Sequence, residues 1–253
     1  MTNESRMRVL ILGVGDAFTR SHFNTSALIQ APQGYVLLDC PALIHRVLRE
    51  STGPAGWNVQ LDDIQDIIIT HLHGDHCGGL EAFGFWQAHV RQCDGTCARP
   101  RIHTSRASAE RMWERLAPAM DRAGTAKPLA TLHDYFDMHI LEPGAKAEVL
   151  GLTVQCRCTR HPIPTLGLLI SDGRTTLGWS GDTPFEQEHI EWLSQADVIV
   201  HESGSAPAHT PIEQLNALPQ ALRAKIRLVH LPDDFDDSQT ALRPLREGEV
   251  LAL

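Results

Sequence analysis

The sequence predicts an α/β fold, a sandwich of two mixed β-sheets packed together with helices on the outside. Short apolar runs bounded by Gly, Pro and Asn alternate with segments of helical spacing, and this occurs both before and after Glu142-Pro143-Gly144. A chain of 253 residues, 42% of them apolar, is long enough to bury the core such a sandwich needs. We therefore expect a single domain over 1–253, built from two similar halves that meet near 142–146.

In the first half, residues 8–13, 26–30 and 35–39 read as strands, with a hairpin turn at Pro32-Gln33-Gly34. Residues 42–50 have helical spacing. The β-branched run Asp66-Ile67-Ile68-Ile69-Thr70 is a buried strand that delivers the chain to His71. Residues 79–90 and 105–120 read as helices, the second with Ser105 as its N-cap and Met112, Trp113 and Leu116 as its apolar face. In the second half, residues 152–158, 166–171 and 175–180 read as strands, the last two joined at Asp172-Gly173. Residues 185–194 suggest a helix, 197–200 a buried strand and 212–224 one or two helical pieces. Residues 226–230 form a last strand that ends on a histidine.

A formal net charge of −9 argues against a nucleic-acid partner, because neutralising phosphates requires clustered Lys and Arg. No apolar run approaches the roughly 18 residues that span a bilayer, and the polar start leads directly into a strand rather than reading as a signal peptide. The expected compartment is cytoplasmic, with Cys40, Cys77, Cys93, Cys97, Cys156 and Cys158 as reduced thiols. A separate structural zinc on Cys93, Cys97, Cys156 and Cys158, with His103 nearby, stays open. His133 and His139 are read as ordinary histidines, and the acidic residues 231–237 as a solvated loop.

The chemistry concentrates at His71-Leu72-His73-Gly74-Asp75-His76. His71 and His73 alternate in an extended segment and can converge from one face, while Gly74 lets the chain turn so that Asp75 and His76 follow. Imidazoles and carboxylates suit zinc, and also manganese or iron. Four potential ligands in six residues exceed what one structural zinc takes from a single loop, which points to a hydrolytic site with a position left for water.

This loop resembles the signature of the metallo-β-lactamase superfamily, His-x-His-x-Asp-His after a strand, and the resemblance extends over most of the chain. Leu10-Ile11-Leu12-Gly13-Val14-Gly15-Asp16-Ala17 is similar to the opening of the branch that holds ribonuclease Z and related small phosphodiesterases. Leu37-Leu38-Asp39-Cys40 is similar to its orienting aspartate segment, with Pro41 where a glycine is usual. Arg160-His161-Pro162, Ser180-Gly181-Asp182-Thr183 and Leu228-Val229-His230 resemble the later ligand segments.

The resemblance implies the metallo-β-lactamase fold and a dinuclear centre of two zinc ions. One ion would be held by His71, His73 and His161 and the other by Asp75, His76 and His230, with Asp182 bridging. A carboxylate suits the bridge because it offsets the repulsion between two dications, and a metal pair can activate water without a serine or cysteine nucleophile. Ala196-Asp197-Val198-Ile199-Val200-His201-Glu202, followed by His209-Thr210, resembles the phosphodiesterase branch. The resemblance places His209 near the scissile phosphate, with Glu202 orienting it; Asp75 is the residue nominated for proton transfer from the attacking water. The short stretch between His161 and Asp182 has no room for the tRNA-gripping arm of ribonuclease Z, so tRNA 3′-end cleavage is disfavoured. The expected activity is hydrolysis of a small or cyclic nucleotide-like phosphodiester, in a homodimer as is usual in that branch. Acyl hydrolysis of a lactone, thioester or lactam is the alternative, and a non-catalytic metal or nucleotide binder stays open.

Overall fold

The structure is a computed structural model that describes residues 7–91, 98–122 and 128–253. The first sheet contains β1 (Arg8–Gly13), β2 (Ser26–Ala31), β3 (Gly34–Leu38), β4 (Ile64–Ile68), β5 (Arg101–Thr104) and β6 (Asp137–Ile140). The second contains β7 (Lys146–Val149), β8 (Leu152–Thr159), β9 (Thr165–Ser171), β10 (Thr176–Trp179), β11 (Val198–Glu202), β12 (Ile226–Val229) and β13 (Arg243–Pro244). The chain then returns as β14 (Val250–Ala252) to pair with β1, so each sheet has seven strands. Both sheets mix antiparallel and parallel pairs.

Period-two alternation explains the layering. Val9 and Ile11 of β1 point into the core between the sheets, where they meet Val154, Leu168, Ile170 and Val200. Leu10 and Leu12 join the opposite cluster, which contains buried side chains of α1 (Ile44–Thr52), α3 (Leu80–Phe85) and α4 (Arg106–Met120). On the far side Leu169, Ile199 and Leu228 pack with α5 (Gln187–Leu193) and α6 (Ile212–Asn216). Helix, sheet, sheet, helix is therefore the order of layers. A one-residue slip in a strand buried on both faces would exchange two sets of packed side chains, so register is fixed.

Several elements differ from the sequence reading. The helix expected over 79–90 is α3 followed by a π-helical turn at Trp86–Val90. There Trp86 donates to Asp62 at 2.8 Å and Gln87 to the Leu61 carbonyl at 2.9 Å, and the widened turn accommodates both tethers. The segment 212–224 divides into α6 and α7 (Gln220–Arg223) because Leu218-Pro219 interrupts it. The sequence reading had no strands at β5, β6, β7, β13 or β14. β6, β7 and β14 are edge strands with short or polar sequences, and β5 replaces apolar contact with a polar ladder in which Arg101 and His103 bond the buried Asp66 carboxylate at 2.8 and 2.7 Å.

His189 on α5 ties a helix to the strand that leads to the site. Its Nε2 lies 3.0 Å from the Ser180 carbonyl, and its ring stacks on Trp192 at a centroid distance of 5.8 Å. Gly167 leaves space for that ring, since a Cβ there would lie 2.4 Å from it. Burial pushes the His189 imidazole down to about 4. Below the ordinary value of about 6.5, the unfolded chain binds a proton that the folded chain refuses, so stability present at neutral pH is lost as pH falls towards the folded value. Between about pH 8 and about pH 5, wild type is expected to lose about 2 kcal/mol more than His189→Gln in chemical denaturation. Equal losses would show that this ring does not fold in its neutral form.

Candidate metal centre

The site forms where strand ends of both sheets meet. Beyond β4, Ile69 N–H donates to the His103 carbonyl, and the Thr70 carbonyl accepts from Leu166 N–H at 3.1 Å, joining one sheet to the other. His71 and His73 extend from this junction. Gly74 then opens the short helix α2 (Gly74–Cys77), which turns Asp75 and His76 back towards them. His161 comes from the loop between β8 and β9, Asp182 follows β10, and His230 follows β12. Gly181 has a φ of 59°, and a Cβ there would lie 2.3 Å from the Leu166 carbonyl oxygen, so only glycine lets β10 present Asp182 in this way.

These residues converge in two groups that share one member. His71, His73, His161 and Asp182 form the first; Asp75, His76, Asp182 and His230 form the second, each group with its ligating atoms within 4.8 Å of one another. In the first, His73 Nδ1 lies 3.1 Å from both His71 Nε2 and His161 Nε2, and Asp182 Oδ2 lies 3.6 and 3.8 Å from those two nitrogens. In the second, Asp75 Oδ2 is 3.1 Å from His76 Nε2 and 3.3 Å from His230 Nε2, and Asp182 is 3.5 Å from each. A tetrahedral ion with bonds of about 2.0–2.1 Å separates its ligand atoms by roughly 3.3 Å. The spacing fits.

The surrounding hydrogen bonds fit as well. The single proton of the Thr70 hydroxyl goes to Asp39, at 2.9 and 3.0 Å from its two oxygens, so the hydroxyl accepts from His71 Nδ1–H at 3.0 Å. His161 Nδ1–H donates to the Ala208 carbonyl at 3.2 Å, and His76 Nδ1–H to Asp39 at 2.8 Å. Each ring therefore turns a bare Nε2 towards the shared centre, and His76 Nε2 is buried without a hydrogen bond. Burial holds His71 well below its ordinary range and pushes His161 down to about 4, so both stay neutral donors of a lone pair. Burial opposes ionisation of Asp75 and Asp182, yet His76 and His230, both raised above their ordinary value by these same carboxylates, hold the two carboxyls well below their usual range; a bound cation would supply that positive charge in place of their protons. Bare nitrogens about 3 Å apart repel unless a cation lies between them. The arrangement suits a metal ion.

Glu202 and His209 lie beside the second group. Glu202 Oε1 accepts from Thr183 N–H at 2.9 Å and lies 3.1 Å from His209 Nδ1, linking the Asp182 loop to the His209 loop. Burial disfavours charge on His209, but the Glu202 carboxylate outweighs it and raises the imidazole above its ordinary value. His209 stacks on His230 with ring centroids 4.9 Å apart.

Thr70, which fixes the His71 tautomer, escaped the sequence reading; the available signal was a hydroxyl residue directly before His-x-His. His133 and His139 join neither group, and Asp233 is a clamp rather than a merely solvated residue, bonding Thr19 and the Arg20 and Ser21 amides. Cys93 and Cys97 lie outside the described residues. Cys156 is buried and Cys158 exposed, and among the described residues no cysteine enters a group of three or more ligating side chains.

A family model described as Anti-Pycsar protein Apyc1 matches residues 7–247. The chain is 29% identical over 264 residues to the Anti-Pycsar protein Apyc1 of Paenibacillus sp. (strain J14), covering 98% of this chain and 99% of that one. It is 27% identical over 260 residues to the cAMP/cGMP-dependent 3′,5′-cAMP/cGMP phosphodiesterase B of Dictyostelium discoideum, covering 95% of this chain and 22% of that protein. Among solved structures, the metallo-β-lactamase fold protein YhfI from Bacillus subtilis matches with a TM-score of 0.77 at 17% identity, over 98% of this chain and 99% of that one. The sandwich is the metallo-β-lactamase fold.

Asp39→Ala removes the acceptor for both Thr70 and His76. Metal affinity is expected to fall by about 10–100-fold in chelator competition, with the folded state retained by circular dichroism. Unchanged affinity would assign Asp39 to the fold alone.

Proposed function

The chain belongs to the Anti-Pycsar protein Apyc1 family, and from that premise we propose that it is a two-metal phosphodiesterase acting on nucleoside cyclic monophosphates. The observation that carries the reading is Asp182, shared by two groups of imidazoles whose ring nitrogens face one another. The fold alone hosts several hydrolytic chemistries. The cyclic diester is favoured by the Dictyostelium relative, whose name specifies 3′,5′-cAMP/cGMP phosphodiesterase activity. Against a tRNA substrate stands the direct path from His161 to Asp182, which is β9, a tight turn and β10.

In this proposal His71, His73 and His161 hold one cation and Asp75, His76 and His230 the other, with Asp182 between them; zinc suits the donors, as do manganese and iron. Bound there, the pair supplies Lewis acidity to the phosphoryl oxygens and lowers the pKa of water. Asp75 stays ionised and accepts a hydrogen bond from the incoming water. His209 keeps its Nδ1–H on Glu202, which leaves Nε2 to carry a proton to the departing ester oxygen. The whole of 1–253 acts as one domain, because the ligands come from both sheets. We place it in the cytoplasm, where cyclic nucleotides are met; no helix among the described residues is long and apolar enough to cross a membrane. A homodimer is supported by the exposed Phe18 and Leu43, apolar surface that a second copy would cover.

The test is metal content together with hydrolysis of bis(p-nitrophenyl) phosphate and of cAMP and cGMP. Wild type is expected to bind two metals and cleave both kinds of diester, and Asp182→Ala to lose both properties. His209→Ala should keep its metal while kcat falls by about 10²–10⁴-fold. A metal-loaded wild type inert to every diester would sink the proposal and direct the search to acyl substrates.

A further inference from the structure

Glu202, His209 and His230 form a third group of ligating side chains, with one ligating atom from each within 4.8 Å of the others. The group shares His230 with the second metal group. Glu202 Oε1 is already engaged, since it accepts from Thr183 N–H at 2.9 Å and lies 3.1 Å from His209 Nδ1. Glu202 Oε2, by contrast, is buried without a hydrogen bond, and so is His230 Nδ1. His230 turns its Nε2 to the Asp75 carboxylate of the second group, at 3.3 Å, which leaves Nδ1 on the other side of the ring. Both residues are only 2% exposed, so water does not readily reach these two atoms. A buried polar atom without a partner is costly, and two on neighbouring residues suggest one shared occupant.

The donor set is selective. A carboxylate oxygen and two imidazole nitrogens suit zinc and similar borderline cations, whereas magnesium and calcium take oxygen ligands. The rings of His209 and His230 stack with centroids 4.9 Å apart and an interplanar angle of 25°, beside the one carboxylate. The His209 side chain is 24% exposed, so water can complete the coordination from that side. An imidazole that gives up both ring protons can serve two ions at once, so His230 can hold the second ion through Nε2 and a further one through Nδ1. Two dications close by repel that further ion. The site is therefore weaker than the first two and fills only when free metal rises.

We propose that Glu202, His209 and His230 form a third, inhibitory site for a borderline divalent cation such as zinc. This rests on the two-metal phosphodiesterase reading and adds a regulation to it. The ion bonds Glu202 Oε2, His230 Nδ1 and a ring nitrogen of His209, and the protons on those two nitrogens pass to solvent. His209 and Glu202 are then committed to the ion. The proton for the departing ester oxygen is no longer delivered, and hydrolysis slows although the first two ions are in place.

The test counts zinc per chain after equilibrium dialysis of the two-metal protein against rising free zinc, for wild type, Glu202→Gln and His209→Ala. Wild type is expected to pass from two ions to three, and both variants to stay at two. Glu202→Gln keeps an oxygen for the Thr183 amide and removes the charge that the third ion needs. Hydrolysis of bis(p-nitrophenyl) phosphate by wild type should fall at least about 10-fold in step with the third ion, since a general acid contributes about 10²–10⁴-fold. It should recover on dialysis back to two ions, and magnesium at the same concentration should change neither quantity. A wild type that stays at two, a third ion that persists in either variant, or a third ion that leaves hydrolysis unaffected would each overturn the proposal. Fewer than two ions in wild type would remove the two-metal reading along with it. Two ions without cleavage of any diester would sink the phosphodiesterase reading alone, because the zinc counts decide the third site without it.

Discussion

The Asp182 carboxylate lies between two sets of imidazoles, 3.5 Å from His76 and His230 and 3.6 Å from His71. In a buried setting one negative charge can hold two cations near each other only if the lone pairs of both sets already point at it. Much of the fold serves that condition. The two sheets are joined at Thr70 and Leu166, next to the ligand loop, and the loop after β10 carries Gly181, the glycine that alone permits the required backbone. Asp39 and His230 themselves occupy left-handed conformations, with φ of 59° and 58°. Such conformations are sparsely populated for residues other than glycine and persist where the surroundings dictate them.

Two further buried carboxylates hold the arrangement from outside. Asp39 receives Thr70 and His76, and Glu202 receives Thr183 and His209. Burial raises both carboxyls, so neither is an easy charge for this interior to keep. Their value is orientation. Each fixes the proton of one ring nitrogen and thereby exposes the other, which a neutral amide could do only in one of its two flips. The same logic divides labour in the site: rings whose outer nitrogen bonds Asp39, Thr70 or Ala208 face the metal groups, and the ring that bonds Glu202 faces the open side.

The sequence made the central strands and the first cluster of His and Asp residues legible because both carry local signals. Strands such as 8–13 are continuous apolar runs, and His71, His73, Asp75 and His76 sit within six residues. The distant members His161, Asp182 and His230 were legible only through their resemblance to known segments, since nothing local distinguishes a histidine at a strand end. Edge strands such as Asp137–Ile140 and Lys146–Val149 escaped notice because one face meets solvent and no apolar run is needed. Arg101 and His103 hid β5 for another reason: their partner is Asp66, on a strand 35 or more positions away in the chain.

X-ray absorption at the metal edge of the fully loaded protein tests the shared carboxylate most directly. The expected spectrum shows nitrogen and oxygen neighbours at about 2.0–2.2 Å and a metal–metal vector of about 3.5–4 Å that disappears in Asp182→Ala. A single metal per chain, with no metal–metal vector in the wild type, would contradict the bridge on which the rest of the site depends.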